Sequence, residues 1–153
     1  MVTISIIPAT MEHAEYIAAN AREADVQELH ASSYQTPLNA MKLGMDLSDF
    51  ALTGCVDGEP VMMWGVYFES LLWGIGTPWM VATKQLDKFA MVFLRRCRDG
   101  LLEKKKNYGM LVNYVDARNV KAIRWLKWLG FNVEEETKPY GALKLPFHRF
   151  TMV

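Results

Sequence analysis

Helical spacing of apolar residues in the second half of the chain constrains the fold more than any other feature. Between positions 86 and 102 these residues recur every three or four positions and form one stripe, comprising Leu86, Phe89, Ala90, Phe93, Leu94, Cys97, Leu101 and Leu102. A basic segment, Lys104 to Lys106, follows the stripe and suits the C-terminus of a helix. The pattern predicts one long amphipathic helix that turns a single face to the core.

Strand patterns follow this helix. Residues 110–115 form a continuous apolar segment, and residues 119–129 form a second amphipathic helix that ends at Gly130, a residue type typical of that position. Residues 131–135 and 147–153 have strand character, and a link rich in proline and glycine joins them. We interpret residues 147–153 as an exposed edge strand that offers a surface for pairing in a homodimer.

The first half of the chain starts with a strand over residues 2–7, followed by three short helices. Thr10 and Thr36 are candidate N-caps, and Pro37 suits the first position of a helix. Residues 50–56 and 60–68 form a predicted hairpin around Asp57 and Gly58, and residues 71–81 form a third strand. This order of elements predicts an α+β fold, or a three-layer α/β fold, with a mixed central sheet flanked by helices.

Composition excludes several classes of protein. The 153 residues suit a single domain over 1–153, and 17 basic residues balance 17 acidic ones, which argues against a nonspecific nucleic-acid binder. Cys55 and Cys97 are too few for a disulfide scaffold or a zinc site, so we expect buried thiols and no metal. No signal peptide or membrane span is predicted, which favours a cytoplasmic protein.

The segment from Asn119 to Phe131 carries the most specific signal. Asn119, Ala122, Gly130 and Phe131 match in type and spacing the second core motif of the GNAT superfamily of N-acetyltransferases, which the chain resembles over about residues 50–131. We interpret Asn119 as a helix cap, Ala122 as a point of close packing and Gly130 as a positive-φ exit. The resemblance implies a GNAT-like mixed central sheet of six to seven strands.

The resemblance also implies a site for acetyl-CoA. In the superfamily, two neighbouring strands diverge, here beside Val81, and a backbone N–H in the wedge between them polarises the thioester carbonyl. Backbone N–H groups at the start of the long helix hold the pyrophosphate. The implied residues are Met80, Val81 and Ala82 for the pantetheine arm, Gln85, Lys88, Phe89 and Ala90 for the pyrophosphate, and Asn119 for the cofactor side of the second motif.

Three positions depart from the superfamily pattern. Lys88 stands where the first glycine of the pyrophosphate loop is expected, where it either crowds the loop or pairs with a phosphate. Leu126 occupies the place of the tyrosine that protonates the leaving thiolate. The candidates for the missing acid and base are Glu69, Asp116 and Tyr114, each of which also fits an ordinary structural or surface side chain.

Two functions follow from the resemblance. The first is an acetyl-CoA-dependent N-acyltransferase whose partners are an acyl-CoA and an amine of a protein or small molecule. The second is a catalytically impaired protein of the same fold. The basic end of the long helix, the strand containing Asn113, Tyr114 and Val115, and residues 119–131 are similar to the acetyltransferase-like internal virion proteins of short-tailed bacteriophages. Its partners would be virion or host proteins, in the host cytoplasm or the virion.

Overall fold

The computed structural model describes all 153 residues. It contains five helices and eight strands, which in chain order are β1 (Ile4–Pro8), α1 (Met11–Ala19), α2 (Glu23–Ser33), α3 (Pro37–Leu47), β2 (Ser48–Val56), β3 (Glu59–Ser70), β4 (Ile75–Ala82), α4 (Leu86–Lys105), β5 (Met110–Asp116), α5 (Val120–Leu129), β6 (Asn132–Val133), β7 (Lys138–Tyr140) and β8 (Leu145–Met152).

All eight strands belong to one sheet in the order β1-β2-β3-β4-β5-β8-β6, and β7 also pairs with β8. Every pairing is antiparallel except that of β4 with β5, which is parallel because α4 returns the chain between them. The predicted α+β fold with a mixed central sheet flanked by helices is confirmed. The sheet has eight strands rather than six or seven, since the proline-rich link contains the short β7.

Helices cover both faces of the sheet, and each face has its own core. On β3 the alternation of side chains places Met62 in the core beneath α4 and α5, and Met63 in a smaller core beneath α1 and α3. Phe93 of α4 is fully buried in the larger core. Helix α2 connects the ends of two strands, because its residues hydrogen-bond Ala82 at the end of β4 and Asp116 at the end of β5.

Local signals in the sequence correspond to the observed caps and turns. The side chains of Thr10 and Thr36 each accept a hydrogen bond from the backbone N–H three residues further on, as N-caps do. Asp57 and Gly58 have φ values of 48° and 82° in the turn of the β2–β3 hairpin, and Gly130 ends α5 with a φ of 107°. These short-range predictions are confirmed because a few neighbouring residues determine them.

Two predictions about strands are corrected. The strand predicted over residues 71–81 begins at Ile75, because residues 71–74 form the turn that leads into β4. The last strand is not an edge: β8 pairs with β5 on one side and with β6 and β7 on the other. It therefore cannot serve as the pairing edge of a homodimer.

Cys55 and Cys97 are buried free thiols, as expected. None of the five helices combines the length and apolarity that a bilayer span requires.

Gly54→Ala is expected to destabilise the protein, since the added Cβ would lie 2.6 Å from Cε1 of the buried Phe93 ring. Overpacking of this kind typically costs ~1–3 kcal/mol, which lowers the Tm by several degrees. Gly100→Ala is the matched control: its Cβ would lie 3.6 Å from the Trp64 ring, and alanine favours a helix over glycine by about 1 kcal/mol. Thermal unfolding followed by circular dichroism should give a lower Tm for the first variant and a higher one for the second. Equal Tm values would contradict the packing described.

Candidate active site

Strands β4 and β5 pair only at their starts and then separate. The parallel ladder joins Ile75 to Met110 and Gly76 to Leu111 and extends no further, although both strands continue for several residues. Pro78 has no N–H to donate, and its carbonyl accepts a 2.7 Å hydrogen bond from the side chain of Asn113 instead. A wedge therefore opens between the two strands, as the sequence resemblance implies.

The direction of the β4 backbone groups determines which residues serve this wedge. The N–H of Thr83 donates to the carbonyl of Val61, and because alternate residues of an antiparallel ladder face the same neighbour, Val81 also turns its backbone to β3. Met80 and Ala82 therefore face the wedge. No strand pairs with Met80 on this side, so its N–H and carbonyl have no backbone partner in the wedge.

Ala82 also faces the wedge, but α2 occupies its backbone groups. The N–H of Ala82 donates to Oδ2 of Asp25 at 3.0 Å, and its carbonyl accepts from the N–H of Arg22 at 2.9 Å. The side chain of Val81 lies in the core beneath α1 and α3. Of the three residues predicted to hold a pantetheine arm, Met80 alone presents an open backbone donor.

The wedge contains a cavity of about 120 Å³ with 20 lining residues, 15 of them hydrophobic. Helices α4 and α5 contribute seven of the apolar lining residues, including Cys97. Burial raises the pKa of the Cys97 thiol to about 12, so Cys97 remains a neutral thiol. Polar side chains concentrate on the α2 and β5 side of the cavity and comprise Asp25, Glu28, Asn113, Tyr114 and Asn119. The site is an apolar passage with one polar end.

Asn119 links two carboxyl groups at the polar end by hydrogen bonds. Its Nδ2 lies 3.4 Å from Oδ1 of Asp25 and 3.4 Å from Oε1 of Glu28, so one amide donates to two carboxyl groups of α2. Its Oδ1 is buried and has no hydrogen-bond partner. The predicted capping role is wrong: the hydrogen bonds of Nδ2 to α2 orient the amide, and Oδ1 accepts no backbone N–H of α5.

Glu28 and Asp25 belong to this site although the sequence did not reveal either of them. Burial, together with the nearby charges of Asp25 and Asp116, raises the pKa of Glu28 to about 8, although the N–H of Asp116 donates to Oε1 at 2.8 Å and opposes the shift. Burial likewise raises the pKa of Asp25, against the effect of Arg22, whose guanidinium lies 2.8 Å away. Glu28 has no motif around it, and its place in the site results from tertiary contacts.

The three residues predicted for proton transfer fall in different places. Tyr114 lines the cavity, and its ring stacks on Tyr140 with centroids 4.0 Å apart. Asp116 is buried beside the polar end, but both of its carboxylate oxygens accept from Arg118. Glu69 is exposed near the end of β3, accepts from a threonine hydroxyl and does not line the cavity.

The residues predicted for the pyrophosphate lie at the start of α4, where the backbone is already hydrogen-bonded. The N–H groups of residues 86–89 donate to the carbonyls of residues 83–85, which closes the first turn of α4. Phe89 interrupts the helix with φ −115° and ψ 15°, and Gln85 and Lys88 are exposed. Ala90 follows the interruption and is half-buried.

Charges cluster around this turn. The carboxylate of Asp87 lies 3.1 Å from Nζ of Lys121 and 3.6 Å from Nε of Arg22, so it bridges the starts of α4 and α5. The ammonium of Lys88 lies 5.5 Å from the centroid of the Phe89 ring. An anion at this position would meet basic side chains and one competing carboxylate rather than a ring of free N–H groups.

No protein-family model matches the sequence, and no curated protein is similar to it. Solved acetyltransferases have the same fold. A GNAT-family acetyltransferase from Streptococcus pneumoniae is 12% identical, with 98% of each chain covered and a TM-score of 0.66. The spermidine N-acetyltransferase of Vibrio cholerae, solved with CoA and spermine, is 12% identical over 97% of this chain and 94% of that one, with a TM-score of 0.70.

The yncA protein of Salmonella typhimurium, solved with its cofactor acetyl-CoA, is 16% identical over 97% of this chain and 92% of that one, with a TM-score of 0.66. The chain therefore has the GNAT fold over nearly its whole length. At these identities the likeness establishes the fold alone, and the chemistry has to be argued from the residues present.

Replacing Glu28 by glutamine is expected to remove a pH dependence of stability. A carboxyl group whose pKa rises from 4.5 to about 8 on folding stabilises the protein most below pH 4.5, and this contribution is lost as the pH rises through 8. The Tm of Glu28→Gln minus that of the wild type should therefore increase between pH 6 and 9, by at least about 3 °C, the effect of roughly 1 kcal/mol.

The control for this measurement is Glu23→Gln, which makes the same change at an exposed position of α2. Calorimetry across the pH range should give this variant the wild-type profile. Parallel profiles for Glu28→Gln and the wild type would show that Glu28 does not titrate in this range.

Proposed function

We propose that residues 1–153 form a single acyltransferase-fold domain and that the protein is an acetyl-CoA-dependent N-acyltransferase, which transfers acetyl to an amine. The observation that carries this proposal is the wedge between β4 and β5, into which Met80 turns an unpartnered backbone N–H. A backbone N–H in a largely apolar cavity is well suited to polarise a carbonyl whose oxygen becomes negative during acyl transfer.

The residues present fit the thioester end of acetyl-CoA. When bound, the thioester supplies an activated acetyl group with a thiol leaving group. Met80 would bind the carbonyl oxygen, the apolar lining from α4 and α5 would exclude water, and Tyr114 at the polar end is the candidate that lines the cavity with a proton to donate. Val81 and Ala82 would contribute side-chain packing rather than backbone hydrogen bonds.

The pyrophosphate end would be held in a different way from the glycine loop of the superfamily. Because the N–H groups of residues 86–89 are engaged within their own turn, Gln85, Phe89 and Ala90 would shape the site, and the charge would come from side chains. Lys88 and Lys121 supply the positive charge nearby. Asp87 opposes an anion here, so we expect weaker acetyl-CoA binding than an open backbone loop would give.

A second candidate function is supported by two observations. The closed first turn of α4 and the occupied Ala82 N–H reduce the cofactor contacts. Three consecutive apolar side chains, Leu71, Leu72 and Trp73, are 79%, 85% and 74% exposed at the tip between β3 and β4. Both suit a protein that keeps the fold for binding other proteins, such as the bacteriophage virion component that the sequence resembles. Such a protein would not depend on acetyl-CoA.

Acetyl-CoA is expected to raise the Tm of the wild-type protein, because a ligand at a hundredfold excess over its Kd stabilises the folded state by about 2.7 kcal/mol. Asp87→Asn should increase the affinity about fivefold, which corresponds to removing roughly 1 kcal/mol of repulsion and freeing Lys121 for the phosphates. Isothermal titration calorimetry gives both Kd values.

Asp99→Asn is the matched control, since Asp99 is exposed on the same helix and forms no ion pair. Its Kd should equal that of the wild type. If acetyl-CoA neither stabilises nor binds the wild type and Asp87→Asn, the acyltransferase is excluded and the second candidate is favoured.

A further inference from the structure

We propose that Glu28 is the general base that accepts the proton of the acceptor ammonium, and that the carbonyl oxygen of the Asn119 side chain helps to hold this ammonium at the polar end of the wedge. The proposal rests on the acyltransferase function proposed above and assigns its acceptor side. It concerns a helix, α2, that carries none of the residues implied by the sequence motif.

Among the three carboxyl groups gathered here, only Glu28 has an oxygen available to a ligand. Asp25 accepts hydrogen bonds at both oxygens, from Arg22 and Asn119 at Oδ1 and from the Ala82 N–H at Oδ2. Both oxygens of Asp116 accept from the same arginine, Arg118.

In Glu28, Oε1 accepts from the Asp116 N–H and the Asn119 amide. Oε2 makes no hydrogen bond and remains accessible to solvent. The held oxygen fixes the orientation of the carboxyl group, and the other oxygen remains free to take a proton in the cavity that Glu28 lines.

Asn119 supplies an independent sign of a missing hydrogen-bond donor. The residue is 2% exposed and lines the same cavity, yet its Oδ1 has no partner. Its Nδ2 donates to Asp25 and Glu28, which fixes the amide with Oδ1 as a buried acceptor that has no partner. A primary ammonium has three N–H donors and no acceptor, so it carries enough donors for this oxygen and for a Glu28 oxygen.

The charges around Glu28 suit a base that works near neutral pH. The raised pKa of about 8 means that the carboxyl group exchanges its proton in the range where an enzymatic base is most effective. The titratable and charged groups that act on it or respond to it are Arg22 just before α2, Asp25 on α2, Asp116 on β5, Arg118 before α5 and Tyr140 on β7.

The transfer step balances with these groups. The ammonium gives one proton to the Glu28 carboxylate, and the nitrogen lone pair forms the C–N bond to the thioester carbonyl carbon. The C–S bond breaks with its electron pair remaining on sulfur, and the second proton lost by the nitrogen converts the thiolate to a thiol. The products are an acetamide, free CoA thiol and protonated Glu28, which returns its proton to water.

The test compares pH profiles of acetyl transfer from acetyl-CoA to spermine, the amine bound in one solved structure of this fold. For the wild type, kcat should rise with pH and level off above a pKa near 8 in the enzyme. Glu28→Gln should lower kcat about a hundredfold and remove this inflection. Glu23→Gln, on the exposed face of α2, should keep the wild-type profile. A retained inflection in Glu28→Gln, with transfer intact, overturns the role of Glu28 but not the acyltransferase.

A second measurement does not require acetyl transfer. In protein labelled with ¹³C at glutamate Cδ, the signal absent from Glu28→Gln reports the ionisation of Glu28. Spermine should lower the pKa of this carboxyl group by at least about one unit, because a bound cation favours its charged form. An unmoved pKa at saturating spermine overturns the ammonium site. A lowered pKa without any acetyl transfer keeps the ammonium site and rejects the proposed function.

Discussion

The early end of the ladder between β4 and β5 is the constraint on which the site depends. After Gly76 the next residue of β4 that faces β5 is Pro78, which has no N–H, and its carbonyl is taken by the Asn113 side chain. The parallel ladder therefore cannot continue, and both strands separate while each remains paired on its other side. An opening forms inside the sheet without creating an edge that would invite another strand.

Helix α2 hydrogen-bonds some of the backbone groups that this separation exposes and leaves others free. Asp25 satisfies the N–H of Ala82, and Glu28, one helical turn later, accepts from the N–H of Asp116 at the end of β5. A single face of α2 thus bridges the ends of the two separated strands. Met80 lies two residues before Ala82, and α2 does not hydrogen-bond its backbone. The free Met80 N–H and the carboxyl groups of Asp25 and Glu28 belong to one cavity.

The predictability of the site follows the range of the interactions. The Asp57 turn and the Gly130 exit depend on neighbouring residues and were predictable from the sequence. The wedge was predictable only through the resemblance of residues 119–131 to a known motif. The role of Glu28 was not, because its contact with Asp116 joins residues 88 positions apart and no local pattern distinguishes it from other helical glutamates.

Asn119 and the first turn of α4 explain why motif-based roles did not transfer fully. An asparagine before a helix usually caps it through its side-chain oxygen, but here Nδ2 donates to two carboxyl groups of α2 and Oδ1 accepts no backbone N–H of α5. Similarly, a helix start usually leaves N–H groups open, whereas residues 86–89 close onto carbonyls of the preceding turn. In both places a tertiary or backbone partner outcompetes the role that the local sequence favours.

The charge balance of the polar end indicates why an ionisable group remains there. Arg22 pairs with Asp25 and Arg118 pairs with Asp116, which leaves Glu28 as the carboxyl group without a cation. Burial and its two acidic neighbours disfavour its ionised form, and the fold contributes only hydrogen-bond donors to offset this. A side chain needed only for packing would stabilise the fold better if it were apolar. An unpaired carboxyl group beside an unsatisfied amide oxygen is instead complementary to a ligand that brings both positive charge and N–H donors, and local rules of stability are most often broken where a site serves binding or catalysis.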